Sequence, residues 1–267
     1  PGTTLTLLAR AHDIAGNIGA KSIQVTINQG PSGPGYIQGQ VYDDTKGLRL
    51  DRATAGVYDA NGQAITQITT QTDGRYFYQT PAGDYLIMLA KDGFTAVERI
   101  VNVRPEKNSA AIDARLTPIS ATQNLVGAEG GKITIGAGSQ GQGSTPNAEP
   151  VTLNLELSIP AGALNQQTDI RLTPISNQGL AGALPAGWSP IAAVDIQKAG
   201  SPGQGAGVAF TEPANLKIAI SPAIALAPSS TATLSSYDIA AHQWMVQGSS
   251  TVSADGAFIA ATIPSSG

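Results

Sequence analysis

Between Tyr36 and Val103 the chain is punctuated at short intervals by turn signals: Asn61-Gly62, Asp73-Gly74, Pro81-Ala-Gly83-Asp84 and Asp92-Gly93. Glycine accepts positive φ, and the twist of an Asx-Gly turn matches that of the strands it joins. The runs between the turns, such as Arg75-Tyr-Phe-Tyr-Gln79 and Tyr85-Leu-Ile-Met-Leu89, are rich in aromatic and β-branched residues. Segments of that length and composition read as strands. The expectation is a small antiparallel β-sandwich made of hairpins, with strands near 36–42, 53–58, 64–70, 75–79, 84–90, 96–103 and 110–116. Its expected core is Val41, Val57, Ile65, Ile68, Phe77, Tyr85, Ile87, Leu89, Val97, Ile100, Val103, Ile112 and Leu116.

The rest of the chain points the same way. With 31 Gly and 17 Pro in 267 residues, and no sustained i, i+3, i+4, i+7 apolar pattern, long helices are excluded. No apolar run approaches the roughly 18 residues that span a bilayer as a helix. A net charge of −4 gives no argument for a nucleic-acid or membrane-surface partner. Cysteine is absent, which removes disulfides, thiolate metal sites and Cys nucleophiles without fixing the compartment.

The order of segments suggests tandem units. Thr3–Ala11 and Lys21–Asn28 flank the turn-rich Asp13-Ile-Ala-Gly-Asn-Ile-Gly19 and read as one hairpin within residues 1–29. Gly30-Pro-Ser-Gly-Pro-Gly35 is a linker. The sandwich occupies 36–118, a second linker 119–127, and a further β region 128–267. In the last of these, strands are expected near 129–135, 151–159, 168–174, 191–197, 215–220, 232–237, 243–246 and 258–263. Residues 1–116 hold 11 acidic and 11 basic side chains, whereas 117–267 hold 8 and 4, a shift that supports a boundary near 118. The chain opens in mid-strand at Pro1-Gly2-Thr3-Thr4 and is read as a segment of a longer polypeptide.

Three resemblances attach to these units. Gly39-Gln-Val-Tyr-Asp43, Ala55-Gly-Val-Tyr58, Thr72-Asp-Gly-Arg-Tyr76, Pro81-Ala-Gly-Asp-Tyr85 and Asp92-Gly-Phe94 together resemble the carboxypeptidase regulatory-like domain, a prealbumin-like fold. That resemblance implies a seven-stranded structural or spacer module of secreted bacterial proteins and brings no catalytic residues. Residues 1–29 resemble the last hairpin of a bacterial immunoglobulin-like domain. Gly130-Gly opening a strand, then Leu157-Ser-Ile-Pro-Ala-Gly-Ala-Leu164 and Thr168-Asp-Ile-Arg-Leu172, resembles a ZU5 domain. Some ZU5-containing proteins cleave themselves at a His-Phe-Ser; here Ala261-Thr-Ile-Pro-Ser-Ser-Gly267 has no His before the Ser, so its serine lacks an activating base.

Other motifs have bland readings. Gly136-Ala-Gly138-Ser-Gln-Gly141 satisfies a dinucleotide fingerprint, but Gln142-Gly-Ser-Thr-Pro-Asn147 follows where a helix would have to begin, so it reads as a loop. The two histidines, His12 and His242, sit in polar turns or strand ends; His242 lies four residues after Asp238, but no Gly-x-Ser-x-Gly elbow supplies a nucleophile. Asp43, Asp44, Asp51 and Asp59 lack the spacing of a Ca²⁺ loop and read as turn aspartates. Tyr76 and Tyr78 share one strand face, with Phe77 on the other, and that tyrosine face is the candidate surface for a glycan or protein partner.

The sequence therefore describes an all-β chain of tandem antiparallel β-sandwiches, prealbumin-like/Ig-like followed by ZU5-like. No enzyme activity, cofactor or metal is expected. The expected role is that of non-catalytic spacer modules in a large secreted or cell-surface bacterial protein, of the kind that carries YD/Rhs repeats. Its partners would be neighbouring domains of the same polypeptide, without nucleic acid and without a membrane span. The alternative is an adhesion module that binds glycan or protein through Tyr76 and Tyr78.

Overall fold

The computed structural model describes residues 3–12, 18–27, 33–136, 154–199, 207–220, 224 and 226–265. Among them every regular element is a strand, so the protein is all β. The expected loops at 13–17, 28–32 and 137–150 and the start of the strand at 151 lie outside the described residues, as do Ser266 and Gly267 of the Ser-Ser-Gly ending and the side chain of His12.

Two sheets form the first sandwich. One contains β3 (Gly35–Asp43), β6 (Arg75–Thr80), β9 (Asn108–Ala110) and β10 (Ala114–Leu116); β3 is central, antiparallel to β6 and parallel to both β9 and β10. The other has the order β5-β4-β7-β8, with β4 (Thr54–Asp59), β5 (Ala64–Thr69), β7 (Gly83–Ala90) and β8 (Val97–Val103), all antiparallel. Strand alternation sends Ile37 and Val41, Ala55 and Val57, Tyr85, Ile87 and Leu89, and Val97, Val101 and Val103 inward to one hydrophobic cluster.

The second region has its own cluster, built on Leu155, Leu157, Ile159, Ile170, Leu172, Leu216, Ile218 and Phe210. Its six-stranded sheet runs β12-β13-β16-β19-β18-β17: β12 (Gly131–Ile135), β13 (Leu155–Ile159), β16 (Ala214–Ala219), β19 (Phe258–Ile263), β18 (Gln243–Val252) and β17 (Thr231–Asp238). A three-stranded sheet holds β11 (Leu125–Val126), β14 (Thr168–Ile175) and β15 (Ala193–Lys198). Among the described residues, strands β1 (Thr3–His12) and β2 (Ile18–Ile27) pair only with each other over ten positions, and Leu5, Leu7, Leu8, Ile23 and Val25 are exposed.

Several expected details are corrected. Four residues placed in the core are exposed: Ile65, Phe77, Ile100 and Ile112. For Phe77 the error is one of parity. The inward residues of β6 are Tyr76, 2% exposed, and Tyr78, packed against the core, which leaves Phe77 outside at 52%. Ile100 stands on the outer face of β8, and Ile112 falls in the break that divides the expected strand 110–116 into β9 and β10. Around the joining segment Thr117 exchanges hydrogen bonds with Thr95, Ile119 donates to Gly93, and Leu125–Val126 pairs with β14.

Candidate functional site at the junction of the two sandwiches

β8 is the last strand of its sheet, and an uncovered last strand offers free N–H and C=O groups to any passing chain. Here the second region covers it. The Glu98 amide donates to the Ala181 carbonyl at 2.6 Å, and two adjacent side chains of β8 reach out on either side of that bond.

Arg99 shares the inward face with Val97 and Val101 and lies where the edges β8 and β10 meet. Its guanidinium donates to four carbonyls: Glu98 at 2.8 Å, and Asp113, Leu180 and Gln178 at 3.4 Å. Burial pulls its pKa below the ordinary guanidinium value, yet five fixed N–H donors facing carbonyl acceptors suit a charge that arginine does not surrender.

Glu98 projects to the opposite side and is 4% exposed. Its Oε2 accepts the Tyr237 hydroxyl at 2.5 Å, and both oxygens lie 3.1 Å from His242 Nδ1. Burial, then the hydrogen bond to Glu98, pushes the Tyr237 phenol well above its usual range, so it remains a donor. The Tyr237 ring meets Trp244 edge-on at 5.3 Å, and the Trp244 indole N–H donates to Gly182 O at 3.3 Å. Gly182 has to be glycine in this arrangement, because a Cβ there would sit 2.4 Å from the Tyr237 ring. His242 adopts a positive φ of 54°. Such a backbone costs on the order of 1 kcal/mol or more for a non-glycine residue and persists where its surroundings fix it.

The arrangement holds two bodies together, and it does not resemble a hydrolytic centre. Asp238 accepts the amides of Ala240 and Ala241 within its own turn, and the carboxylate facing His242 is Glu98. Asp43 accepts from Thr45 and Lys46, Asp59 accepts from Asn61 and Gln63, and Asp51 pairs with Lys91 and Arg52. Among the described residues no cluster of His, Asp and Glu is suited to hold a metal.

Of the two residues expected to form a binding surface, Tyr76 is buried and Tyr78 is half-buried against the core. Tyr76 lies over Gly39, where an added Cβ would be 2.2 Å from its hydroxyl oxygen, and burial pushes that phenol far above its usual range. The outward aromatic pair is Phe77 stacked on Tyr36, with ring centroids 5.0 Å apart. The clasp residues Glu98 and Arg99 were missed from sequence, although a signal was there. Adjacent opposite charges inside Ala96-Val-Glu-Arg-Ile-Val101 must point to opposite faces of one strand, so one of them enters the sandwich.

No protein-family model matches the chain, and no curated protein matches it either. Among solved structures it is similar to BcpA, the major pilin subunit of Bacillus cereus, at 15% identity and a TM-score of 0.28, over 44% of this chain and 39% of the pilin. It is also similar to a DUF3823 family protein from Parabacteroides merdae ATCC 43184, at 12% identity and a TM-score of 0.26, over 71% of this chain and 91% of that one. The chain thus spans about two fifths of the pilin's length. Neither likeness assigns it to a family or a function.

Proposed function

We propose that this chain is a non-catalytic structural segment of a longer secreted or cell-surface polypeptide, in which two β-sandwiches are clasped into one brace for neighbouring domains. The observation that carries the reading is the pair Glu98–Arg99. A last strand, normally a place of free hydrogen-bonding groups, is closed by the adjoining region through one backbone bond, a buried carboxylate and a buried guanidinium. A flexible tether between independent modules would not need buried charges at the junction. The module resemblances of the sequence agree with a spacer role and with an extracellular setting.

Calorimetry tests this. The two sandwiches should unfold in one cooperative transition, and Glu98→Ala should split it, since truncation leaves Tyr237 and His242 without their acceptor at a cost of about 1–3 kcal/mol. Two independent transitions in the unaltered protein, or one unchanged transition in the variant, would overturn the reading.

A further inference from the structure

We propose that the free edge of β5 is a self-association surface, on which β5 of a second copy of this chain pairs antiparallel about a twofold axis at Gln67. The backbone prepares it. Thr70, which directly follows β5, donates its amide to Ala53 O at 2.8 Å and accepts the Arg52 amide at 3.2 Å, so its polar groups turn toward β4. That direction alternates from residue to residue in an antiparallel pair. Ile68 and Thr66, opposite Ala55 and Val57, therefore also bond to β4, while Thr69 and Gln67, opposite Thr54 and Gly56, turn their amides and carbonyls away. Among the described residues no strand pairs with β5 on that side, and Ala64, Ile65, Gln67 and Thr69 are exposed.

The edge fits a copy of itself. Two residues that exchange both backbone bonds must each face the seam, and an axis at Gln67 meets that condition. Gln67 then bonds Gln67 of the second copy, and Thr69 of each copy reaches the Ile65 end of the other. The same axis keeps every side chain on its own face. Gln67 meets its counterpart on the outer side, and Ile68, which packs against the core, meets Thr66 on the inner side.

Charge agrees with this pairing. β5 has no charged residue and no proline, so nothing on the strand itself deters a second strand. Its flanks are complementary. The Asp59 carboxylate stands in the turn before Ala64, where it accepts the Asn61 and Gln63 amides. Near the Thr69 end, Arg52 and Lys91 share the single carboxylate of Asp51, which leaves one positive charge in excess. An antiparallel partner sets the anionic end of one copy toward the cationic end of the other. The pairing joins two four-stranded sheets at the end opposite β8, so it stands apart from the clasp. One short strand from each copy buries much less than the roughly 1,600 Å² of a standard interface. The association is therefore weak, with Kd on the order of 0.1–1 mM.

Cysteine is absent from the chain, so a single introduced thiol reports the register. Gln67→Cys places two thiols at the axis with Cα atoms about 5.5 Å apart, within disulfide reach. Thr69→Cys leaves its two copies four residues out of register, about 14 Å apart, and Gln79→Cys, exposed on β6, reports random collision. Under mild oxidation at a protein concentration near the expected Kd, Gln67→Cys should link about tenfold faster than either of the others, and dilution should abolish that advantage. In the unaltered chain, amide hydrogen exchange at Gln67 and Thr69 should slow as concentration rises. Gln67→Pro removes an outward N–H and no bond to β4; with its fold checked by melting temperature, it should lose the association in sedimentation. The proposal is overturned if the three cysteine variants link at equal rates, or if exchange at Gln67 and Thr69 is independent of concentration. It is equally overturned if an uncharged extended peptide protects those amides and a second copy does not.

Discussion

The four-stranded sheet of the first sandwich ends in two strands that meet solvent differently. β8 carries Glu98 and Arg99 and is closed by the second region. β5, Ala64-Ile-Thr-Gln-Ile-Thr69, has neither charge nor proline, pairs among the described residues with β4 alone, and is exposed at Ala64, Ile65, Gln67 and Thr69. Charges on a last strand usually deter unwanted pairing. On β8 they do more: both are buried, and both are satisfied by groups from the adjoining region. Charge in this sheet therefore marks the edge that the protein uses internally, and its absence marks the edge left available.

If the β8 closure rests on Arg99, truncating that residue should have the largest effect. Arg99→Ala leaves the Gln178, Leu180 and Asp113 carbonyls without their donor and removes a guanidinium stem packed at the sandwich margin. Loss of a buried, charge-assisted set of this kind costs about 3–4 kcal/mol, measured by chemical denaturation, and Thr69→Ala on the open edge should cost far less. Equal effects at the two strands would dissolve the distinction between them.

A third edge, β15, shows another device. Asp195 stands on it with Oδ2 buried and unpartnered. Burial raises its pKa to about 6, against a partial opposing effect of a hydrogen bond from Gln197. The folded-state value lies above the ordinary aspartate value of 3.8, so the associated stability is complete below about pH 4 and is lost as pH rises through 6. The loss should be about 2–3 kcal/mol by pH 8. Asp195→Asn should flatten that decline and stabilise the protein at pH 8 while changing little at pH 4. A decline of the same size in the variant would show that Asp195 is not its source.

Much of this was legible in the sequence, and what was missed has a common cause. The Asn-Gly and Asp-Gly turns fix where strands begin and end, and Val41, Val57, Ile87, Leu89, Val97, Val103 and Leu116 are buried as their alternation implies. Alternation, however, does not say which of two apolar faces is inside. In Arg75-Tyr-Phe-Tyr-Gln79 both parities offer aromatic residues, and the choice was made by Gly39, which leaves room for the Tyr76 ring only. The junction lay further out of reach. Glu98 meets Tyr237 and His242 across 139 and 144 positions, a pairing that no local pattern encodes. Tyr76 and Tyr78 pack inward, and the aromatic pair on the outer side of that strand is Phe77 with Tyr36.

The smallest effect is expected at the open edge itself. Thr69 is exposed at the end of β5, so Thr69→Lys places a charge on the bare strand without disturbing the core. A surface substitution of this kind shifts stability by no more than about 0.5 kcal/mol. Its consequence should appear in association, because a lysine on an edge strand has to be desolvated before another strand can pair there. Sedimentation at rising concentration should show weak self-association of the unaltered chain and less of it for Thr69→Lys, with unfolding midpoints nearly the same. If both remain monomeric to millimolar concentration, twist and the bulge between Val57 and Tyr58 already protect β5, and the contrast with β8 is one of means and not of exposure.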